Sequence, residues 1–252
     1  MVTHVVDDDR AASLVEVERQ EAQVLLDKLA NGLRDSDGLS CQPHLVFGEP
    51  FEQIPRLAEI VDADLVVIGP YRRDRLKNIF IGATAERIIR SSQRPVLMAN
   101  GLPASPYDQI LLATDFSEGA DQAMRAAKAL GLLEAAHISA AYAFQAHGIG
   151  LRGSTAASSD NRSATASAQK QMSEMAQALG LALVDQIAEA VAVSAAETIR
   201  AIATRVRADL VVVGATRRSP LAQAWLSGVA QDLLRFAETD ILVVPSAHSA
   251  DN

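Results

Sequence analysis

Cysteine is almost absent: Cys41 is the only one in the chain of 252 residues. No disulfide can form within the chain and no thiolate cluster can hold a metal, so Cys41 is expected to serve as a small buried hydrophobe. Histidine is scarce too, and His4, His44, His137, His147 and His248 lie too far apart for the short ligand spacings of a zinc site. Basic residues are in deficit, with 23 Lys and Arg against 31 Asp and Glu and a net charge of −8. That balance argues against a general nucleic-acid binder, which clusters Lys and Arg against phosphates. Long apolar runs are missing: nothing approaches the roughly 20 residues of a membrane span, and Met1 to Arg10 carries Asp7-Asp8-Asp9 where a signal peptide needs an apolar core. A cytoplasmic location is the expectation. Enzyme signatures are also lacking. There is no Gly-x-Ser-x-Gly elbow, no phosphate loop ending in Gly-Lys-Ser or Gly-Lys-Thr, and no Cys-His pairing near a strand end, so no catalytic activity is expected.

What is present is enough apolar residue to build a core, 49% hydrophobic against 21% charged, and an internal repeat. Val61 to Ala99 aligns without a gap onto Val206 to Val244 at a constant offset of 145. Ala63-Asp64-Leu65-Val66-Val67 falls on Ala208-Asp209-Leu210-Val211-Val212, Gly69 on Gly214, Arg72-Arg73 on Arg217-Arg218, and Ala85 on Ala230. Each copy reads as strand, glycine turn, variable loop, helix, strand. Asp64 to Gly69 and Asp209 to Gly214 are short unbroken aliphatic runs, the pattern of parallel strands covered on both faces. Apolar residues at helical spacing follow, at Ala85, Ile88, Ile89 and at Val229, Leu233, Leu234, Phe236, before the closing strands Val96 to Ala99 and Ile241 to Val244.

Upstream in the second copy, the pattern predicts a strand at Ile110 to Ala113, a helix at Gly119 to Leu132 and a strand at Ile138 to Phe144. Gln145 to Ser163 reads as a loop by composition, before a helix from about Ala164 to Leu179, a strand at Ile187 to Val193 and a helix at Ala195 to Val206. Strands alternating with helices make an α/β protein with a doubly wound parallel sheet. The first copy starts late. Val2 to Val6 behaves like the second strand of the repeat, followed by a helix from about Ala11 to Asn31, a strand at Leu45 to Phe47 and a helix at Glu52 to Val61. Either the start lies inside a longer gene, the favoured reading, or this copy lost a strand and a helix; a strand borrowed from another subunit could also fill the gap.

In open α/β sheets ligands bind beyond the strand ends, against amides at helix N-termini. Thr114-Asp115-Phe116-Ser117-Glu118 occupies that place in the second copy. Asp115 could accept hydrogen bonds from a ribose or an adenine; equally it could cap the following helix. This segment, after its aliphatic strand, resembles the opening motif of the universal stress protein family, and Val66-Val67-Ile68-Gly69 with Gly82-Ala83-Thr84 resembles the closing one. The resemblance covers nearly the whole chain, twice. Family members that bind ATP carry a glycine, two residues, a second glycine, nine residues, then Gly-Ser or Gly-Thr, which lets bare amides reach phosphates. Here the first copy has Gly69, Arg72 in the second glycine's place, then Gly82 followed by Ala83 and Thr84. The second has Gly214, Arg217 and an inverted Ser227-Gly228. Phosphate contact is therefore expected to be weakened, although Arg72, Arg73, Arg217 and Arg218 could replace lost amides if they are not simply solvated.

The resemblance implies two tandem Rossmann-like domains, residues 1–102 without the first strand and helix and residues 106–247 complete, with a tail at 248–252. It implies a stress-response regulator binding ATP or a related adenine nucleotide in the second domain, through Thr114, Asp115, Gly214, Arg217, Ser227 and Gly228. The first-copy counterparts are Gly69, Arg72, Gly82 and Thr84. The alternative is a family member that binds no nucleotide and acts as a scaffold for other proteins. Either way the closing strands of the copies should meet across a pseudo-two-fold axis; a homodimer stays open, and neither membrane nor nucleic acid is an expected partner.

Overall fold

A computed structural model of the protein describes residues 1–6, 12–69, 83–101, 105–145, 155–191, 193–215, 228–236 and 239–246. Two compact units emerge, Met1–Ala63 and Asp64–Asn252. In the first unit, β1 (Val2–Val6) and β2 (Pro43–Phe47) form a parallel pair, with Val2 opposite Pro43 and Val6 opposite Phe47. Helix α1 (Ala12–Asp37) packs on both strands through Ala22, Leu26 and Ala30, spaced four apart on one face and nearly fully buried. Helix α2 (Pro50–Ile60) opens on a proline, whose missing N–H is no loss in a first turn, and packs on β1. Cys41 is buried, as a small hydrophobe would be.

The second unit is built on a seven-stranded sheet that joins the end of the first copy to the whole of the second. From the first copy come β3 (Val66–Ile68), α3 (Ala83–Ser91) and β4 (Val96–Met98). The second copy supplies β5 (Gln109–Ala113), α4 (Glu118–Ala129), β6 (His137–Gln145), α5 (Thr155–Leu179) and β7 (Leu183–Val191), then α6 (Ala195–Val206), β8 (Leu210–Ala215), α7 (Gly228–Phe236) and β9 (Asp240–Pro245). The order across the sheet is β3-β4-β9-β8-β5-β6-β7. All pairs are parallel except β4 with β9, which run antiparallel with Val96 opposite Val243, Leu97 opposite Leu242 and Met98 opposite Ile241. Leu97 and Leu242 are themselves repeat equivalents, so the pseudo-two-fold axis passes between them and the closing strands meet as the resemblance implied. On the helices that close each copy, Gln231 donates to Glu86 across 2.6 Å, and these two residues are also equivalents.

Strand residues alternate faces. Ile110, Leu112, Leu210, Val212, Leu242 and Val244 share one core with Leu97, Ala123, Met124, Ala127 of α4 and Leu179 of α5. Burying each large aliphatic side chain contributes roughly 1.5–3 kcal/mol.

Three sequence expectations are corrected. The segment read as a loop to Ser163 is helical from Thr155 onward. Its Ser, Thr and Asn content suggests a loop, but hydroxyls can bond back to the preceding turn, as Thr165 does to the Asn161 carbonyl at 3.0 Å. The strand placed at Ile187 to Val193 runs from Leu183 to Val191. Asp185 and Gln186 hide its first half, because β7 is an edge strand whose outer face tolerates polar side chains, and Val193 is 81% exposed. Helix α1 continues past Asn31 to Asp37.

Candidate functional site

Within the second copy the strand order is β9-β8-β5-β6-β7, so β5 stands at the centre and connections leave it in opposite directions. The crevice beyond the C-terminal ends of β5 and β8 is the topological switch point, where such sheets take ligands. A cavity of about 90 Å³ lies there, lined among the described residues by Ala113 at the end of β5, by Thr114 and Asp115 just after it and by Val213 and Gly214 of β8. Ala120, Ala195 and Val229 complete its helical side. They belong to the first turns of α4, α6 and α7, so three helix N-termini converge on the cavity. Each brings unsatisfied amides and the positive end of its dipole.

The turn out of β5 is locally braced. Thr114 is buried, continues the ladder to the Ala141 carbonyl at 2.9 Å, and accepts the Phe116 N–H on Oγ1 at 2.9 Å. Phe116 takes the left-handed conformation, φ 60°, an uncommon state for a side chain of this size. Its ring lies 4.7 Å from that of Tyr142, which anchors it. Asp115 is exposed and accepts the Ser117 N–H at 3.0 Å through Oδ1. Ser117, not Asp115, is the N-cap of α4, its Oγ accepting the Ala120 N–H at 3.2 Å. Asp115 thus braces the turn that enters the helix, with its carboxylate at the mouth of the cavity.

Gly214 has a different reason to be glycine. A Cβ there would sit 2.4 Å from the Gly119 carbonyl oxygen and 2.9 Å from the Ala120 nitrogen, so the backbone of α4 packs directly on it. The repeat equivalent, Gly69, follows β3 and faces open space within 4 Å.

Thr114, Asp115 and Gly214 therefore come together at one cavity, and Gly228 opens the helix whose Val229 lines it. Gly69 and Thr84 are exposed elsewhere in the second unit and do not line it. Arg72, Gly82, Arg217 and Ser227, with Arg73, Arg218 and the tail at 248–252, lie outside the described residues. Sequence reasoning missed Ala143, Ala195 and Ile199, which line the cavity as plain apolar residues. The Ser194 N-cap, accepting the Glu197 N–H at 3.1 Å, was the available signal that a helix starts there. Two larger concavities, about 310 and 770 Å³, are lined by α6 and α7 residues including Glu197, Arg200 and Leu233. The larger reaches the N-terminal end of β9 at Thr239 and Ile241, the wrong end of the sheet for strand-end ligand binding. Among the described residues no group of His, Cys, Asp and Glu is placed to hold a metal, and no helix is long and apolar enough to cross a membrane.

Comparison with known proteins agrees with this architecture. A universal stress protein of Archaeoglobus fulgidus superimposes with a TM-score of 0.69 at 18% identity, covering 96% of this chain and 86% of that one. A protein described as a putative universal stress protein, from Pseudomonas aeruginosa, gives 0.64 at 18% identity, covering 96% and 92%. In sequence, Universal stress protein MJ0577 of Methanocaldococcus jannaschii is 30% identical over 79 residues, 31% of this chain and 48% of its own length. The chain spans about half the length of the curated relatives it matches, 48% and 49% for the first two. The profile of the Universal stress protein family matches residues 1–100 and again residues 106–245, and on that double match the chain belongs to the universal stress protein family.

Proposed function

We propose that the chain is a cytoplasmic stress-response regulator that binds ATP or a related adenine nucleotide at the switch-point cavity of its second copy. Occupancy shifts its association with partner proteins, and no turnover is involved. The observation that carries this reading is the convergence of the α4, α6 and α7 N-termini on a cavity with the Asp115 carboxylate at its mouth. Helix N-termini favour the charge of a polyphosphate, and a carboxylate accepts hydrogen bonds from ribose hydroxyls or the adenine amino group. Thr114 and Asp115 take the nucleoside end in this reading. Gly214, Arg217, Ser227 and Gly228 take the phosphates by their place in the sequence. In the first copy the corresponding positions in the sequence are Gly69, Arg72, Gly82 and Thr84.

A second reading, a family member that recruits proteins without nucleotide, is favoured by the size of the cavity. At about 90 Å³ it is well below the roughly 300 Å³ at which drug-sized ligand pockets begin. Calorimetric titration of the full chain with ATP, beside Asp115→Ala, separates the two. Saturable heat with wild type, lost in the variant, supports the nucleotide reading; no heat up to millimolar ATP leaves the scaffold, and equal heat in both proteins removes Asp115 from the site.

A further inference from the structure

The closing faces of the two copies meet across a pseudo-two-fold axis, and a face that meets its own equivalent in this way can in principle pair with another of its own kind. The strand residues do not discriminate. Val96 lies opposite Val243, Leu97 opposite Leu242 and Met98 opposite Ile241, and pairing either strand with a second copy of itself would again set aliphatic or methionine side chains against each other. The polar contacts around these strands are less symmetric.

At one end of the β4–β9 pair, Asp240 Oδ1 accepts the Asn100 N–H at 2.7 Å and the Gly101 N–H at 3.1 Å, and the Asn100 side-chain amide donates to the Thr239 carbonyl at 2.7 Å. Asn100 is buried, so this clamp is made away from water. The symmetry-related end cannot make it. At the offset of 145, Asn100 corresponds to Pro245, which has no N–H, and Asp240 corresponds to Pro95, which has no carboxylate. On the helices, Glu86 of α3 accepts from Gln231 of α7 at 2.6 Å and also from Arg90. Equivalent positions thus carry an acceptor on one face and a donor on the other.

We infer that the Asn100–Asp240 clamp and the Glu86–Gln231 bond set partner choice at the closing face, so that each copy's face accepts the face of the opposite copy and rejects one of its own kind. Pairing second copy with second copy would set each Asp240 beside a Pro245 that has no amide to give, and would strand a half-buried carboxylate. Pairing first copy with first copy would set Asn100 beside Pro95, leaving its buried amide without an acceptor, and would bring Glu86 against Glu86. Gln231 against Gln231 is tolerated, so the clamp alone discriminates in the second copy. Specificity here comes as much from groups stranded in the wrong pair as from bonds made in the right one.

The test uses the full chain in two measurements. In thermal unfolding, Gln231→Glu puts a second carboxylate across the 2.6 Å contact and Asp240→Ala removes the clamp, and each should lower Tm by about 3 °C or more. Glu86→Gln combined with Gln231→Glu reverses donor and acceptor, with Arg235 four residues after 231 as Arg90 is after 86, and should recover most of the Gln231→Glu loss. The second measurement is disulfide trapping in a Cys41→Ala background, which removes the one native thiol. Leu97→Cys with Leu242→Cys sets two thiols directly opposite each other within a chain, at a spacing that a disulfide can bridge, and should close. Leu242→Cys alone should link two chains about tenfold more slowly or worse, because only pairing of second copy with second copy sets 242 against 242. Absence of either Tm loss, a reversed pair no more stable than Gln231→Glu, failure of the paired cysteines to close, or interchain linkage as fast as intrachain closure each overturns the inference.

Discussion

Gly214 and Gly69 are the same residue in two copies, and alanine should have opposite effects at them. At Gly214 the new Cβ meets the Gly119 carbonyl oxygen at 2.4 Å, its carbon at 2.5 Å and the Ala120 nitrogen at 2.9 Å. All three are backbone, so none can rotate aside; α4 must recede by about 1 Å to restore ordinary contact near 3.4 Å. Receding loosens Ala123, Met124 and Ala127, which are at most 1% exposed in the core. Overpacking a well-filled core typically costs 1–3 kcal/mol, and a backbone clash belongs at the upper end, about 3 kcal/mol. That corresponds to a fall in Tm of roughly 6–12 °C for a unit of this size. Gly69→Ala meets nothing within 4 Å and asks for no unusual φ, so it should stabilise by about 0.4–1 kcal/mol by restricting the unfolded chain. Urea unfolding followed by circular dichroism reads both, with equal m-values as the check that the end states are unchanged. A neutral Gly214→Ala, or equal losses at both sites, would refute the close approach of α4 to β8.

Ser117→Ala removes the N-cap of α4 and should destabilise by about 1 kcal/mol in the same assay, with Ser117→Asp recovering most of it; no loss would mean the cap is replaceable. Tyr107 donates its hydroxyl to Asp240 Oδ2 at 2.7 Å, and burial first, then the Asp240 carboxylate, holds its phenol protonated well above the usual value. The folded state therefore keeps this proton more tightly than the unfolded state. The associated stability is fully present below about pH 10 and is lost as pH rises beyond it. Tyr107→Phe should flatten that alkaline decline, and an unchanged decline would show that Tyr107 does not cause it.

The repeat was legible because it is written in the residues that make a parallel sheet: unbroken aliphatic runs ending in glycine, then helices with buried Ala85, Ile88, Ile89 and Ala230, Leu233, Leu234. The antiparallel meeting of the closing strands followed from the family resemblance and appears as the Leu97–Leu242 pair. Two things were not legible. The beginning of α5 is polar by composition, and the first half of β7 is polar because the edge strand leaves Asp185 and the residue before it exposed. Nor could the close approach of α4 be read from spacing: Gly214 fits a phosphate motif, and in the fold α4 also packs on its bare face. Asp115 had two readings, nucleotide contact and helix cap. The structure gives the cap to Ser117 and leaves Asp115 bracing the turn at the mouth of the cavity.

The separation of β1 and β2 from the seven-stranded sheet follows from strand order. In the second copy the counterparts of β1 and β3, which are β6 and β8, never touch, because β5 stands between them and bonds to both. Among the described residues β1 pairs with β2 and β3 with β4, so the strands of the first copy fall into two sets. The second set survives because β4 pairs with β9, which gives it the second copy's core in place of its own. Stability of β3 and β4 is therefore inherited across the pseudo-two-fold axis, while the cavity beyond β5 is lined by residues of the second copy alone. The two copies share a sheet because a closing βαβ unit is enough to continue one, whereas a switch point needs the strand at its centre.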